Sequence, residues 1–170
     1  MGQASKHILF IMGVSGSGKS TIGKLLAEAL GYSFFDGDDF HPKVNIEKMA
    51  SGKSLNDEDR YEWLLSLNEL AKKNLEKGAV IACSALKESY RDLLQNGIGT
   101  GVEFIYLKGS FQEILERLQQ RKDHYMPVEL LRSQFETLSP PKNAIVVAIS
   151  QPPEIIVNSI LTTLESRDIN

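Results

Sequence analysis

Short runs of continuous apolar residues alternate along the chain with stretches of helical periodicity. Ile8–Met12 is an unbroken apolar run, which predicts a strand covered on both faces. The next block predicts a helix over Thr21–Leu30, with Ile22, Leu25, Leu26, Ala29 and Leu30 inward and Gly31 closing it. Ser33-Phe34-Phe35 predicts a brief second strand running into Asp36-Gly37-Asp38-Asp39. Residues 43–56 predict a short helix and a turn. Asp57–Lys77 predicts a longer helix with Leu64, Leu67, Ala71 and Leu75 as its stripe. Ala79–Cys83 is a second apolar run, followed by a helical pattern over Lys87–Gln95 that Asn96-Gly97 stops. Glu103–Lys108 predicts a strand. Phe111–Gln120 predicts a helix with Ile114, Leu115 and Leu118 inward, its start marked by a Ser110/Glu113 capping box. Arg121–Met126 is a polar break, Pro127 opens a helix over Val128–Leu138, and Pro140-Pro141 ends it. Ala144–Ile149 and Glu154–Glu165 predict the last strand and helix. Five strands alternating with helices predict an α/β fold: three α/β/α layers around a five-stranded parallel sheet.

One loop carries the first chemical signal. Gly13-Val14-Ser15-Gly16-Ser17-Gly18-Lys19-Ser20 matches G-x-x-x-x-G-K-[ST] in full, between the first predicted strand and helix. Its glycines let successive N–H groups curl around a phosphate chain, and the helix start adds a positive dipole end. Lys19 is placed for the β- and γ-phosphates, and the Ser20 hydroxyl for Mg²⁺. The nucleotide set is thus Gly13 to Ser20 with Thr21. No Asn-Lys-x-Asp occurs, so the usual guanine-reading element is missing. The strand at Ala79–Cys83 ends in Ser84 and not in an acid, which moves metal support to the Asp36–Asp39 cluster. Asp36 and Asp38, two apart, point the same way if the chain stays extended. A carboxylate there suits a general base or a metal-water ligand.

These motifs resemble the gluconokinase family of P-loop carbohydrate kinases. The carriers are Met12–Thr21, Asp36-Gly37-Asp38-Asp39-Phe40-His41-Pro42, Leu55-Asn56-Asp57-Glu58-Asp59-Arg60, Ala82–Lys87 with Tyr90-Arg91-Asp92, and His124-Tyr125-Met126-Pro127 with Ser133–Leu138. The likeness runs from about Ile8 to Ile160. Ser139 departs from it, standing where relatives more often carry an acid. The resemblance implies phosphorylation of D-gluconate at its 6-hydroxyl by ATP, and a fold like the nucleoside monophosphate and shikimate kinases. It implies a single domain: a core of residues 7–36, 78–120 and 143–167, a substrate-binding part over about 37–77, and a lid over about 121–139. It also implies homodimers.

The substrate's carboxylate needs a cation. Arg60 or Arg91 fills that role, with Lys87 assisting and Ser84 beside it at the ligand edge. Asp38 is the expected base and Asp36 the metal-side ligand with Ser20. His41 either binds a substrate hydroxyl or packs on Pro42. Arg121 is expected to reach the transferring phosphoryl group. Arg117 either stacks on adenine or caps its helix end, and His124 contacts substrate or shapes the lid. His7 reads as a surface residue, and Cys83 as a small core side chain.

Composition narrows the partners. In 170 residues, 19 Lys and Arg face 22 Asp and Glu, a net charge of −3 with no basic excess for nucleic acid. The five-residue run Ile8–Met12 is far short of the roughly twenty residues that span a membrane. The single cysteine has no internal disulfide partner and suits a reducing cytoplasm. Two other readings compete: a kinase of another small anion such as shikimate or a nucleoside monophosphate, and a P-loop module that binds nucleotide without turnover.

Overall fold

The structure, a computed structural model, describes residues 6–121 and 126–169. Five parallel strands form one sheet in the order β2-β3-β1-β4-β5: β1 Ile8–Met12, β2 Ser33–Asp36, β3 Ala79–Ala82, β4 Val102–Lys108 and β5 Ile145–Ala148. The helices are α1 Lys19–Leu30, α2 Lys43–Ala50, α3 Asp57–Lys73, α4 Glu88–Gln95, α5 Phe111–Gln119, α6 Val128–Thr137 and α7 Pro153–Ile169. β1 lies at the centre, and every one of its side chains is buried, which is why the run carries no polar position.

The pleat sends alternate β1 residues into two cores. Leu9 and Ile11 join Ile22 and Leu26 of α1, Ile114 of α5, Leu131 of α6 and Ile160 of α7. Ile8, Phe10 and Met12 join Trp63, Leu64 and Leu67 of α3 and Leu94 of α4. Each fully buried Leu or Ile stabilises by roughly 1.5–3 kcal/mol, so these two layers fix the sheet. The crossovers leave β1 toward β2 on one side and, through β3 and β4, reach the other. The carboxyl end of β1 is therefore where the strand order reverses, the place where open α/β sheets form a crevice.

Several predicted positions shift. The inward face of α1 is Ile22, Gly23, Leu26 and Ala27; Leu25 and Ala29 face solvent, because α1 begins at Lys19 and its buried stripe is narrower than the periodicity suggests. Gly23 lies against the Phe34 ring, so close that a Cβ would sit 2.4 Å from it. α3 ends at Lys73, which leaves Leu75 beyond the stripe and exposed. The Ser110/Glu113 capping box forms, and a second forms unpredicted at Asn56 and Asp59. His7 is no free surface residue: its Nε2 lies 2.7 Å from an Asp168 carboxylate oxygen, tying β1 to α7. Cys83 is buried, and burial pushes its thiol up to about 12, which suits its expected inert role. No helix among the described residues is long and apolar enough to cross a membrane.

Candidate active site

The phosphate loop follows β1 and enters α1 through Gly18, whose φ of 96° is left-handed and costs only glycine nothing. No side chain caps α1, so its first N–H groups stay open to an anion. Lys19 folds back along the loop, its Nζ donating to the carbonyls of Gly13 and Val14 at 3.0 Å each. Burial lowers its pKa from the ordinary lysine value, against the opposing pull of Asp38. Ser20 Oγ lies 3.4 Å from Asp36 Oδ2. A cavity of about 150 Å³ opens here, lined by Ser15, Lys19, Ser20, Asp36, Asp38 and Arg121.

The acidic cluster does not stay extended. Asp36 ends β2, and the chain then turns through a 3-10 helix over Gly37–Phe40. Asp36 Oδ1 accepts the Asp38 N–H at 3.0 Å, so the two carboxylates are cap and capped turn, not neighbours on one strand face. The turn is forced against β3: a Cβ on Gly37 would lie 2.3 Å from Ala82 O, and Trp63 Nε1 donates to Gly37 O at 2.7 Å. Asp38 thereby stands at the cleft wall with 81% of its side chain exposed. The surrounding protein still raises its pKa, opposed by Lys19 and reinforced by Asp36 and Asp39.

His41 does not line the large cavity described below. Its ring stacks on Trp63 at 4.0 Å between centroids and turns into the protein, with 4% of the side chain exposed. Burial, then Arg60, lowers its pKa to about 4. Asn45 Nδ2 donates to Asp59 O at 2.8 Å and meets His41 Nδ1 at 3.2 Å, which makes Nδ1 the acceptor.

Next to the phosphate cavity lies a larger one of about 520 Å³. Asp38, Lys53, Ser54, Arg60, Arg121, Ser133, Gln134 and Thr137 supply its polar wall, and Met49, Met126, Pro127 and Leu130 much of its apolar wall. Arg60 is held by Tyr90, donating to its hydroxyl at 2.8 Å, and Tyr90 donates to Asp57 at 2.5 Å. Lys87 pairs with the same Asp57 oxygen at 2.8 Å and lies outside this cavity. It lines instead a neighbouring space of about 400 Å³ with Asp57, Arg60 and Thr137, and Arg60 borders both spaces.

Arg91 also stands elsewhere. It is buried, and its guanidinium donates to Ala85 O at 2.7 Å and Ser139 O at 2.8 Å. Ala85 has φ 47°, an unfavourable conformation for a non-glycine residue, and Arg91 clamps that turn. Of the two candidate arginines only Arg60 faces the cavity. Ser84 serves the phosphate loop through its carbonyl, which accepts the Gly13 N–H at 3.3 Å, and does not line the cavity. Ser139 contributes through its backbone: its carbonyl accepts from Arg91, and its N–H donates to Leu86 O at 2.7 Å.

Beyond the phosphate cavity, Arg117 donates to Ile149 O at 2.5 Å and lines a hollow of about 240 Å³ with Gly18, Thr21, Gln151 and Pro153. Arg121 borders all three spaces. His124 lies outside the described residues. Lys53, Ser54, Ser133, Gln134 and Thr137 were not predicted. The last three fall in the Ser133–Leu138 block that carries the family likeness; Lys53 and Ser54 have no local signature. Among the described residues no three His, Cys, Asp or Glu side chains gather as a metal cage. Ser20 with Asp36 instead fits Mg²⁺, which keeps waters and takes one or two protein oxygens beside phosphate.

The family model for shikimate kinase matches residues 15–165. The chain is 47% identical over 165 residues to the thermoresistant gluconokinase of Escherichia coli strain K12, covering 94% of both chains. It superposes with TM-score 0.91 on the crystal structure of a gluconokinase from Sinorhizobium meliloti 1021, at 40% identity over 99% of this chain and 97% of that one. Shikimate kinase from Aquifex aeolicus, 22% identical with TM-score 0.60 over 95% and 98% of the chains, shares the fold. With its phosphate loop, acid-bearing turn and continuous cleft in place, the chain belongs to the gluconokinase family of P-loop kinases.

Proposed function

We propose that the protein transfers the γ-phosphoryl group of ATP to the 6-hydroxyl of D-gluconate, giving 6-phosphogluconate and ADP. The observation that carries this reading is the meeting of three cavities at Arg121, with Asp38 on the shared wall of two of them. The adenine sits beside Arg117, the triphosphate along the loop, and the sugar acid in the large cavity. A space of about 520 Å³ with a few converging polar groups is of small-molecule size.

Asp38 accepts the proton of the 6-hydroxyl as that oxygen bonds to the γ-phosphorus and the bridge to the β-phosphate breaks. Lys19 and Arg121 neutralise charge on the phosphoryl oxygens. Ser20 and Asp36 would hold Mg²⁺, which would supply further charge neutralisation. Arg60, anchored by Tyr90, takes the carboxylate with Lys53 beside it. Family membership also supports the division into core, substrate-binding part and lid, a homodimer and a cytoplasmic setting. Leu131 of α6 belongs to the core packed with α1, α5 and α7.

A coupled ADP-release assay over gluconate, other aldonates, shikimate and nucleoside monophosphates tests the reading. Turnover on gluconate is the expected result. Strong turnover on shikimate or a nucleotide with none on gluconate overturns it, and no turnover on any acceptor favours a binding module.

A further inference from the structure

Gln134 reaches from α6 across to the phosphate loop and makes two hydrogen bonds to one residue. Its Oε1 accepts the Ser15 backbone N–H at 2.8 Å, and its Nε2 donates to Ser15 Oγ at 3.1 Å. A backbone N–H can only donate, so the carboxamide oxygen must face it and the amide nitrogen must face the hydroxyl. The nitrogen cannot accept, so Ser15 Oγ is an acceptor toward Gln134 and its own proton must point elsewhere. Ser15 lines both the phosphate cavity and the large acceptor cavity, at the seam between them.

We propose that Gln134 is a positioning residue that sets the Ser15 hydroxyl as a hydrogen-bond donor to the terminal phosphoryl group. The inference deepens the proposed function and rests on its placing of the triphosphate. The brace also ties α6, a wall of the acceptor cavity, to the loop that holds the nucleotide. Loop geometry and acceptor pocket are thereby coupled by two bonds, far apart in sequence.

The test is a set of affinities for ADP and for a non-hydrolysable ATP analogue, measured by calorimetry without acceptor. Gln134→Met, which keeps the length and removes both bonds, is expected to weaken the analogue about tenfold while ADP changes less than twofold. Ser15→Ala should do the same, and the double variant should lose no more than either single one. Gln134→Glu keeps an acceptor for the Ser15 N–H but draws the hydroxyl proton to itself, so it too should weaken the analogue selectively. Equal loss for ADP and analogue, multiplying losses in the double variant, or an unchanged analogue affinity in a folded Gln134→Met overturns the proposal. These affinities involve no sugar acid, so a failure of wild-type turnover on gluconate is a separate result.

Discussion

The phosphate cavity takes Ser15, Lys19 and Ser20 from one continuous loop and adds Asp36 and Asp38 from the next strand and turn. The acceptor cavity is assembled differently. Asp38, Lys53, Arg60, Arg121 and Gln134 come from the 3-10 turn, the α2–α3 loop, α3, the end of α5 and α6. Main-chain N–H groups and the left-handed glycines Gly16 and Gly18 define the first space; side chains converging from five places define the second. A phosphate chain asks for many equivalent donors, which a curled backbone provides. A polyhydroxy acid asks for distinct groups at fixed points, which only a folded scaffold provides.

Asp38 belongs to both spaces, and removing its charge gives the largest effect. Asp38→Asn should lower kcat by about 10²–10⁴ while ATP affinity stays close to wild type, read by steady-state kinetics and calorimetry. A drop under about threefold would remove the base from the shared wall.

The two arginines separate recognition from architecture. Arg60→Ala should raise the gluconate KM by about 10–100-fold, because it removes a charge-assisted partner of the carboxylate. Arg91→Ala should leave that KM unchanged and cost about 2–4 kcal/mol of stability in denaturant unfolding, since it orphans Ala85 O and Ser139 O. A reversed pattern would exchange the two roles.

The smallest effect is a pH dependence of the acceptor wall's support. His41, neutral and stacked on Trp63, has a folded pKa of about 4 against 6.5 for the ordinary group. Between those values the unfolded chain binds a proton that the folded one does not, so stability falls as pH drops from 6.5 toward 4. His41→Phe should flatten that part of the Tm-against-pH curve. An unchanged slope would show that His41 is not the group responsible.

Much of what is local in the chain is legible in its sequence. The β1 apolar run, the loop Gly13–Ser20 and the Ser110/Glu113 box involve residues within a few positions of one another, so pattern and chemistry coincide. The Asn56/Asp59 box is equally local and was missed because Asp, not Glu or Gln, closes it. The spacing of Asp36 and Asp38 reveals the sheet edge but not their geometry, since the close approach of Gly37 to Ala82 turns the chain.

The sequence by itself determined the layered α/β class, the nucleotide loop and the acidic turn, because short-range spacing encodes each of them. The tertiary structure alone decided which arginine lines the large cavity and that Gln134 meets Ser15. Arg60 and Arg91 are alike as cations; what divides them is that Arg91's neighbours are two buried carbonyls and Arg60's is an open cavity. Burial and partnership of that kind arise from contacts between distant elements, which no local pattern carries.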